Sequence, residues 1–275
     1  MAAAPTERSE TGSETERARS GAVTGGAAWR VLAAEVARLR ATRPGAAPRV
    51  LDVGGGSGAW AVPLGALGCA VTVVDSSPNA LAALQRRARD AGVHDRVRAV
   101  QGDVDALGDV VPAGSADLVL GHGLLEVVDD PVRAVAALTV AADAGAAVSV
   151  LTAGRYAAVL SRTVAGRLAE ARTLLTDPDG RFGPDDALRR RLGADALREL
   201  LADAGLRVEV LQGDGVLEGW VPGATRDGGP SAARAVAELE ELATGVTPLR
   251  ELAARLHAVG RVPASRPAGA TVRST

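Results

Sequence analysis

The sequence predicts an open α/β sheet, doubly wound, with helices on both faces. Three observations predict it. Short apolar runs alternate with helical stretches from residue 49 onward, a glycine cluster follows the first run, and acidic residues lie at the ends of the first two runs. Parallel strands need long crossovers, and crossovers of this length pack as helices against the sheet. A chain of 275 residues suits one such domain with additions.

Residues 1–26 are polar, rich in Gly, Ala and Ser, and lack apolar period, as expected of a disordered leader. Trp29, Val31, Leu32, Val36 and Leu39 then recur at helical spacing over 28–41. A linker from Pro44 to Pro48 precedes strands at 50–53, 70–74, 97–100, 118–120 and 146–151, with helices near 58–67, 77–91 and 131–142 between them. Residues 152–192 break the rhythm. They read as one long helix over 156–175, a Pro/Gly-rich turn and an Arg-rich segment at 189–191, together an insertion on the acceptor side. A helix at 194–204, a strand at 206–211, a loop carrying Trp220, a helix near 231–243 and a strand at about 253–259 follow. The domain thus runs from 27 to 262, with a disordered tail over 263–275.

Composition narrows the function. The net charge is -2, and Arg carries every positive side chain because Lys is absent, so nothing pulls the whole molecule toward nucleic acid or anionic membrane. One Cys and 3 His make a metal site unexpected. No apolar run is long enough to span a bilayer, and the N-terminus lacks the apolar stretch of a secretory signal, so a cytoplasmic location is expected.

The most informative segment is Val50-Leu51-Asp52-Val53-Gly54-Gly55-Gly56-Ser57-Gly58. Glycines let a ligand approach the backbone, and a ligand of an open α/β sheet sits where the strand order reverses. Dinucleotide enzymes space these glycines Gly-x-Gly-x-x-Gly around a pyrophosphate. Here the last interval is one residue shorter, and Asp52 stands before the loop, where a carboxylate repels pyrophosphate and suits a cation. S-adenosylmethionine (SAM) carries such cations. Asp75 ends the second strand beside Ser76, placed to accept ribose hydroxyls; its other reading is a cap for the helix near Pro78. Asp103, Val104 and Asp105 follow the third strand, where a carboxylate and an apolar side chain suit adenine; Asp103 reads equally as a helix cap. His122 follows the fourth strand.

Asp52-x-Gly54-x-Gly56-x-Gly58, Asp75, Gly102-Asp103 and the strand around Asp117 resemble the motif series of class I SAM-dependent methyltransferases. The resemblance implies a Rossmann-like sheet of seven strands, the last antiparallel. Residues 51–56, the run from His122 to Pro131 and Leu256-His257 are similar to the tRNA 5-carboxymethoxyuridine methyltransferases. That likeness implies a carboxylate on modified tRNA as acceptor, and Gly54, Gly55, Asp75, Val104, Asp105 and His122 at the SAM site.

Methyl transfer from a sulfonium is an in-line displacement with a neutral leaving group, so positioning supplies most of the catalysis. A carboxylate acceptor needs no base; a hydroxyl or amine would draw on His122 as general base. The acceptor pocket is expected from the N-terminal helix, the insertion and the Trp220 loop, with Arg155 and Tyr156 as substrate contacts. Arg155, Arg162, Arg167 and Arg172 form either an anion-binding stripe or a solvated helix face. The acceptor is tRNA or a small metabolite. The rival readings are a nicotinamide-dependent oxidoreductase and a SAM-binding module without catalysis.

Overall fold

The computed structural model describes residues 24–217, 219–226 and 228–264. The expected disordered leader and tail lie almost wholly outside the described residues. Seven strands form one sheet in the order β3-β2-β1-β4-β5-β7-β6. They are β1 (Arg49–Val53), β2 (Ala70–Asp75), β3 (Val97–Gln101), β4 (Ala116–His122), β5 (Ala142–Ala153), β6 (Arg207–Asp214) and β7 (Arg255–Arg261). β1 to β5 pair in parallel, and β7 runs antiparallel to both β5 and β6. The order reverses between β1 and β4, so the glycine loop after β1 opens at the switch point.

The helices follow from local chemistry. In α1 (Ala27–Thr42) the apolar stripe Ala28, Leu32, Val36 and Leu39 is buried against one face of the sheet. Glu35 is buried on the same helix. Burial works against its ionisation, but the Arg38 and Arg261 guanidinia overcome it and hold the carboxyl at about 2. α2 (Ala61–Ala66) and α3 (Pro78–Asp90) share that face. Ser77 caps α3 by accepting the Ala80 N–H at 3.2 Å, and Pro78 starts it. A 3₁₀ turn (Val104–Ala106) and the short α4 (Leu107–Val110) follow β3. α5 (Pro131–Ala141), capped by Asp130, covers the opposite face with α8 (Ala194–Asp203). The short α9 (Gly223–Arg226) and then α10 (Gly229–Ala243) close the chain's return to β7.

Two expectations need correction. The helix expected over 156–175 is two, α6 (Arg155–Val164) and α7 (Leu168–Thr176). Gly166, at φ 74°, terminates α6: its N–H reaches the Thr163 carbonyl and the Arg167 N–H the Arg162 carbonyl, a Schellman closure that overrides the periodicity. The last strand begins at Arg255, two residues later than the apolar run suggested. Among the described residues no helix is long and apolar enough to cross a membrane.

Gly58 seats the glycine loop on α3. Its φ is 82°, and a Cβ there would lie 2.2 Å from Leu84 Cδ1. Gly58→Ala should cost about 2–4 kcal/mol in urea unfolding, from left-handed backbone and overpacking together. Leu84→Ala in the same chain should relieve the overpacking part. An unchanged midpoint for Gly58→Ala would refute this packing role.

Candidate active site

β1 ends at Val53 and the chain turns through Gly54, Gly55 and Gly56, with φ of 71° at Gly54 and 55° at Gly56. The Gly54 N–H donates to the Val74 carbonyl at 2.8 Å. Asp75 Oδ2 accepts the Gly56 N–H at 2.9 Å, and Oδ1 accepts the Ser77 N–H at 2.8 Å. One carboxylate thus ties the glycine loop to the β2–α3 turn. Ser77 caps α3, so Asp75 is not its cap, and each oxygen keeps a second lone pair for a ligand.

A crevice of about 380 Å³ opens beside this clamp. Gly54, Asp75, Ser76, Asp103, Val104 and Asp105 line it, as the sequence proposed, together with Gly123, Leu124 and Asp129. The lining carries four carboxylates, Asp75, Asp103, Asp105 and Asp129, and no Arg or His. Asp129 pairs with Arg189 at 2.5 Å, and Asp103 also accepts the Asp105 N–H at 3.0 Å, so its capping role is real as well. A pyrophosphate here would meet uncompensated negative charge, whereas an ammonium and a sulfonium meet attraction.

Asp52 lies beneath the loop rather than in the crevice lining. It is fully buried, and neither carboxylate oxygen has a hydrogen-bond partner. A Cβ on Gly55 would fall 2.5 Å from Asp52 Oδ2, so only glycine lets the loop settle over this carboxylate. Burial, followed by the nearby Asp75 charge, pushes the carboxyl up to about 7. A buried carboxylate with no partner is costly, and a cationic ligand over the loop compensates it. The residues present therefore fit SAM.

The other candidates are placed differently. Gly55, Gly56 and Gly58 are not among the lining residues, and a Cβ on Gly58 would strike Leu84. His122 ends β4, 8% exposed, with its ring edge-on to Trp60 at 4.4 Å and Nε2 2.8 Å from Ser149 Oγ. Burial, then His257 and Arg255, hold its pKa well below the usual value, so the ring is neutral. Asp117 sits near the start of β4, at the opposite end of the strand from His122, and pairs with Arg49 at 2.7 Å. Arg155 does not reach either cavity: its guanidinium donates to the Asp177 and Pro178 carbonyls and clasps the 177–180 turn. Tyr156 is exposed beside Gly193. Arg162 pairs with Glu170 at 3.0 Å and stacks on Phe182 at 4.5 Å, so two members of the arginine stripe, Arg155 and Arg162, are engaged within the protein, while Arg172 is exposed.

A second cavity of about 410 Å³ opens on the same edge of the sheet. Ala27 and Arg30 of α1, Asp214 and Gly215 after β6, Val236 and Ala237 of α10, and Arg255 of β7 line it. The N-terminal helix contributes as expected; the insertion and Trp220 do not. Sequence reading missed Arg30 and Arg255 in this role because they are about 225 residues apart and ordinary singly. It also missed Ser149, although a lone hydroxyl in an apolar strand was a visible signal.

Residues 50–143 match the family model described as a methyltransferase domain, a span from β1 into the start of β5 that contains the whole glycine loop and all four crevice carboxylates. No curated protein matches the chain. Among solved structures, a putative methyltransferase of Haloferax volcanii, in complex with the Trm112 activator, is 17% identical over 94% of this chain and 96% of its own, with a TM-score of 0.55. Magnesium protoporphyrin IX methyltransferase of Synechocystis PCC 6803, with bound S-adenosylhomocysteine (SAH), is 14% identical over 95% and 90%, TM-score 0.55. A [4+2]-cyclase is 20% identical over 86% and 84%, TM-score 0.53. These likenesses establish the fold. The fold is that of the class I methyltransferases, and the span from β1 into β5 within it matches a methyltransferase domain.

Two substitutions test the crevice. Asp75→Asn should weaken SAM binding roughly tenfold or more, on the order of 1–3 kcal/mol, through loss of a charged acceptor; an unaltered dissociation constant would remove Asp75 from the site. Asp52 has a folded pKa raised from 3.8 to about 7, so the folded, ligand-free protein binds the extra proton and loses stability as pH rises through that interval. Asp52→Asn should flatten this decline, making the ligand-free variant the more stable protein above neutrality while weakening its SAM affinity. Melting curves with the same pH slope in both proteins would contradict the burial argument.

Proposed function

We propose that the protein transfers the methyl group of SAM to an oxygen, a carboxylate or hydroxyl, of a small anionic acceptor held in the α1–β6–α10 cavity. The observation that carries the reading is the crevice at the switch point, whose lining offers carboxylates and no cation. Bound SAM supplies an electrophilic methyl carbon and a neutral thioether leaving group. The chain's own contribution is positioning: Asp75 and the glycine loop fix the donor side, and Arg30, with the remaining N–H groups of Arg255 that Asp214 pairs at 2.7 Å, faces an acceptor carboxylate beside an apolar wall of Val236 and Ala237.

A small acceptor is favoured over tRNA because Arg155 and Arg162 of the insertion are engaged within the protein and the net charge is negative. The likeness to wobble-uridine methyltransferases keeps RNA as the other outcome. Incubation with methyl-labelled SAM, a small-metabolite fraction and bulk tRNA separates them. Label is expected in the small fraction, with Arg30→Gln and Arg255→Gln each raising KM about tenfold through loss of a charged contact. Label in tRNA alone would overturn the small acceptor; SAM bound with no label anywhere would favour a binding module without catalysis.

A further inference from the structure

A row of polar side chains, three buried and Gln212 half-buried, crosses four adjacent strands of the sheet. Gln212 Nε2 lies 3.1 Å from His257 Nδ1, His257 Nε2 lies 2.9 Å from Ser149 Oγ, and Ser149 Oγ lies 2.8 Å from His122 Nε2. The four residues come from β6, β7, β5 and β4, adjacent strands in the sheet. His257 and Ser149 are fully buried. Nothing in packing calls for this row, and burying it unpaired would be costly.

Its position is informative. At the β6–β7 end, Asp214 and Arg255 oppose each other two residues from the Gln212–His257 pair, and both line the second cavity. At the β4 end, Gly123 follows His122 and lines the cofactor crevice. None of the four lines a cavity itself, but each end of the row lies within two residues of one that does, Gly123 at the crevice and Asp214 at the second cavity, so the row lies between donor and acceptor sides.

The contacts also fix the protons. The Gln212 amide N–H donates to His257 Nδ1, which leaves that nitrogen bare and places the His257 proton on Nε2. His257 Nε2–H donates to Ser149 Oγ, and the Ser149 hydroxyl donates to His122 Nε2. His122 must then carry its proton on Nδ1, and Nδ1 is the one buried imidazole nitrogen among the described residues with no partner. A buried donor without an acceptor calls for a ligand atom.

We infer that His122 offers Nδ1–H to an oxygen of the methyl acceptor, and that Gln212, His257 and Ser149 are positioning residues that hold the ring in that tautomer. The inference rests on the methyl-transfer reading and deepens it, since it assigns an oxygen acceptor and makes His122 a hydrogen-bond donor instead of a base. With a carboxylate acceptor, one oxygen attacks the methyl carbon while the C–S electron pair leaves with sulfur. The other oxygen becomes the ester carbonyl and keeps the His122 hydrogen bond, and no proton is transferred. Burial keeps both rings uncharged, His257 at about 4, so no positive charge is set beside the sulfonium.

The test has two arms on the full chain. The first records imidazole ¹⁵N spectra of histidine-labelled protein with SAH bound, assigned through His94→Gln and His257→Asn. His122 is expected as the Nδ1–H tautomer and His257 as Nε2–H, with Ser149→Ala releasing His122 to a mixture. A His122 ring bare at Nδ1, or one unmoved by Ser149→Ala, overturns the inference. The second arm measures labelled methyl transfer into the acceptor pool alongside SAH affinity. His122→Leu should lower transfer roughly 100-fold, as removal of an oriented donor does, with SAH affinity within about threefold because the donor is not the cofactor's. His122→Asn, whose amide N–H takes the place of Nδ1–H, should recover most of the loss. A parallel fall in SAH affinity assigns the donor to the cofactor and overturns the inference. Wild-type protein that binds no SAH defeats the underlying reading instead.

Discussion

The site depends on one carboxylate. Asp75 accepts the Gly56 N–H from the first strand's loop and the Ser77 N–H from the second strand's turn, and so converts two neighbouring βα connections into one wall. Without it the glycine loop is left with the bond from Gly54 to Val74 and the reach of Arg87 to Ser57. The same carboxylate, half-exposed at the crevice, keeps lone pairs for a ligand. Asp52 beneath the loop has no hydrogen-bond partner in the protein, and its ionised form is favoured only when a cation lies above it. The crevice is thereby shaped by backbone and tuned by charge toward a cationic nucleoside.

The second half of the machinery is joined to the first by α1. Asp214 Oδ1 accepts the Ala28 N–H at 3.1 Å, holding the start of α1 over the ends of β6 and β7. Nearer its middle, Glu35 takes the Arg261 guanidinium at 2.6 Å, and Arg261 also reaches Glu209 at 2.7 Å. These partly buried pairs lock α1 to the antiparallel edge of the sheet, and Trp29 on α1 stands 6.5 Å from Trp60, which in turn meets His122. Helix, aromatic pair and polar row thus form one rigid bridge between the cavity that α1 lines and the crevice at the switch point.

Much of the fold was legible because buried parallel strands read as unbroken apolar runs: β4, from Ala116 to His122, is buried throughout. β7 was displaced by two residues for a physical reason. It ends at Arg261, whose charge is neutralised by Glu35 far away in sequence, so hydropathy alone closed the strand at 259, while the apolar Ala253 and Ala254 extended it too far at the start. Asp75, Asp103 and Asp105 were legible because they stand at or just after the ends of β2 and β3; Asp129, seven residues past β4, was not. The acceptor side was not, because it is assembled from distant partners: Ser149 meets His257 across 108 positions. Arg155 looked free in sequence, and only the fold of the 177–180 turn shows what its guanidinium holds.

The central claim is that the switch-point crevice selects a sulfonium nucleoside over a dinucleotide by charge. Titration calorimetry of the intact protein with SAM, SAH and NAD⁺ at neutral pH measures this directly. The account predicts binding of SAM and SAH at one site per chain, with SAM affinity falling when Asp75 is neutralised, and no heat from NAD⁺. Saturable NAD⁺ binding with none for SAM or SAH would contradict it.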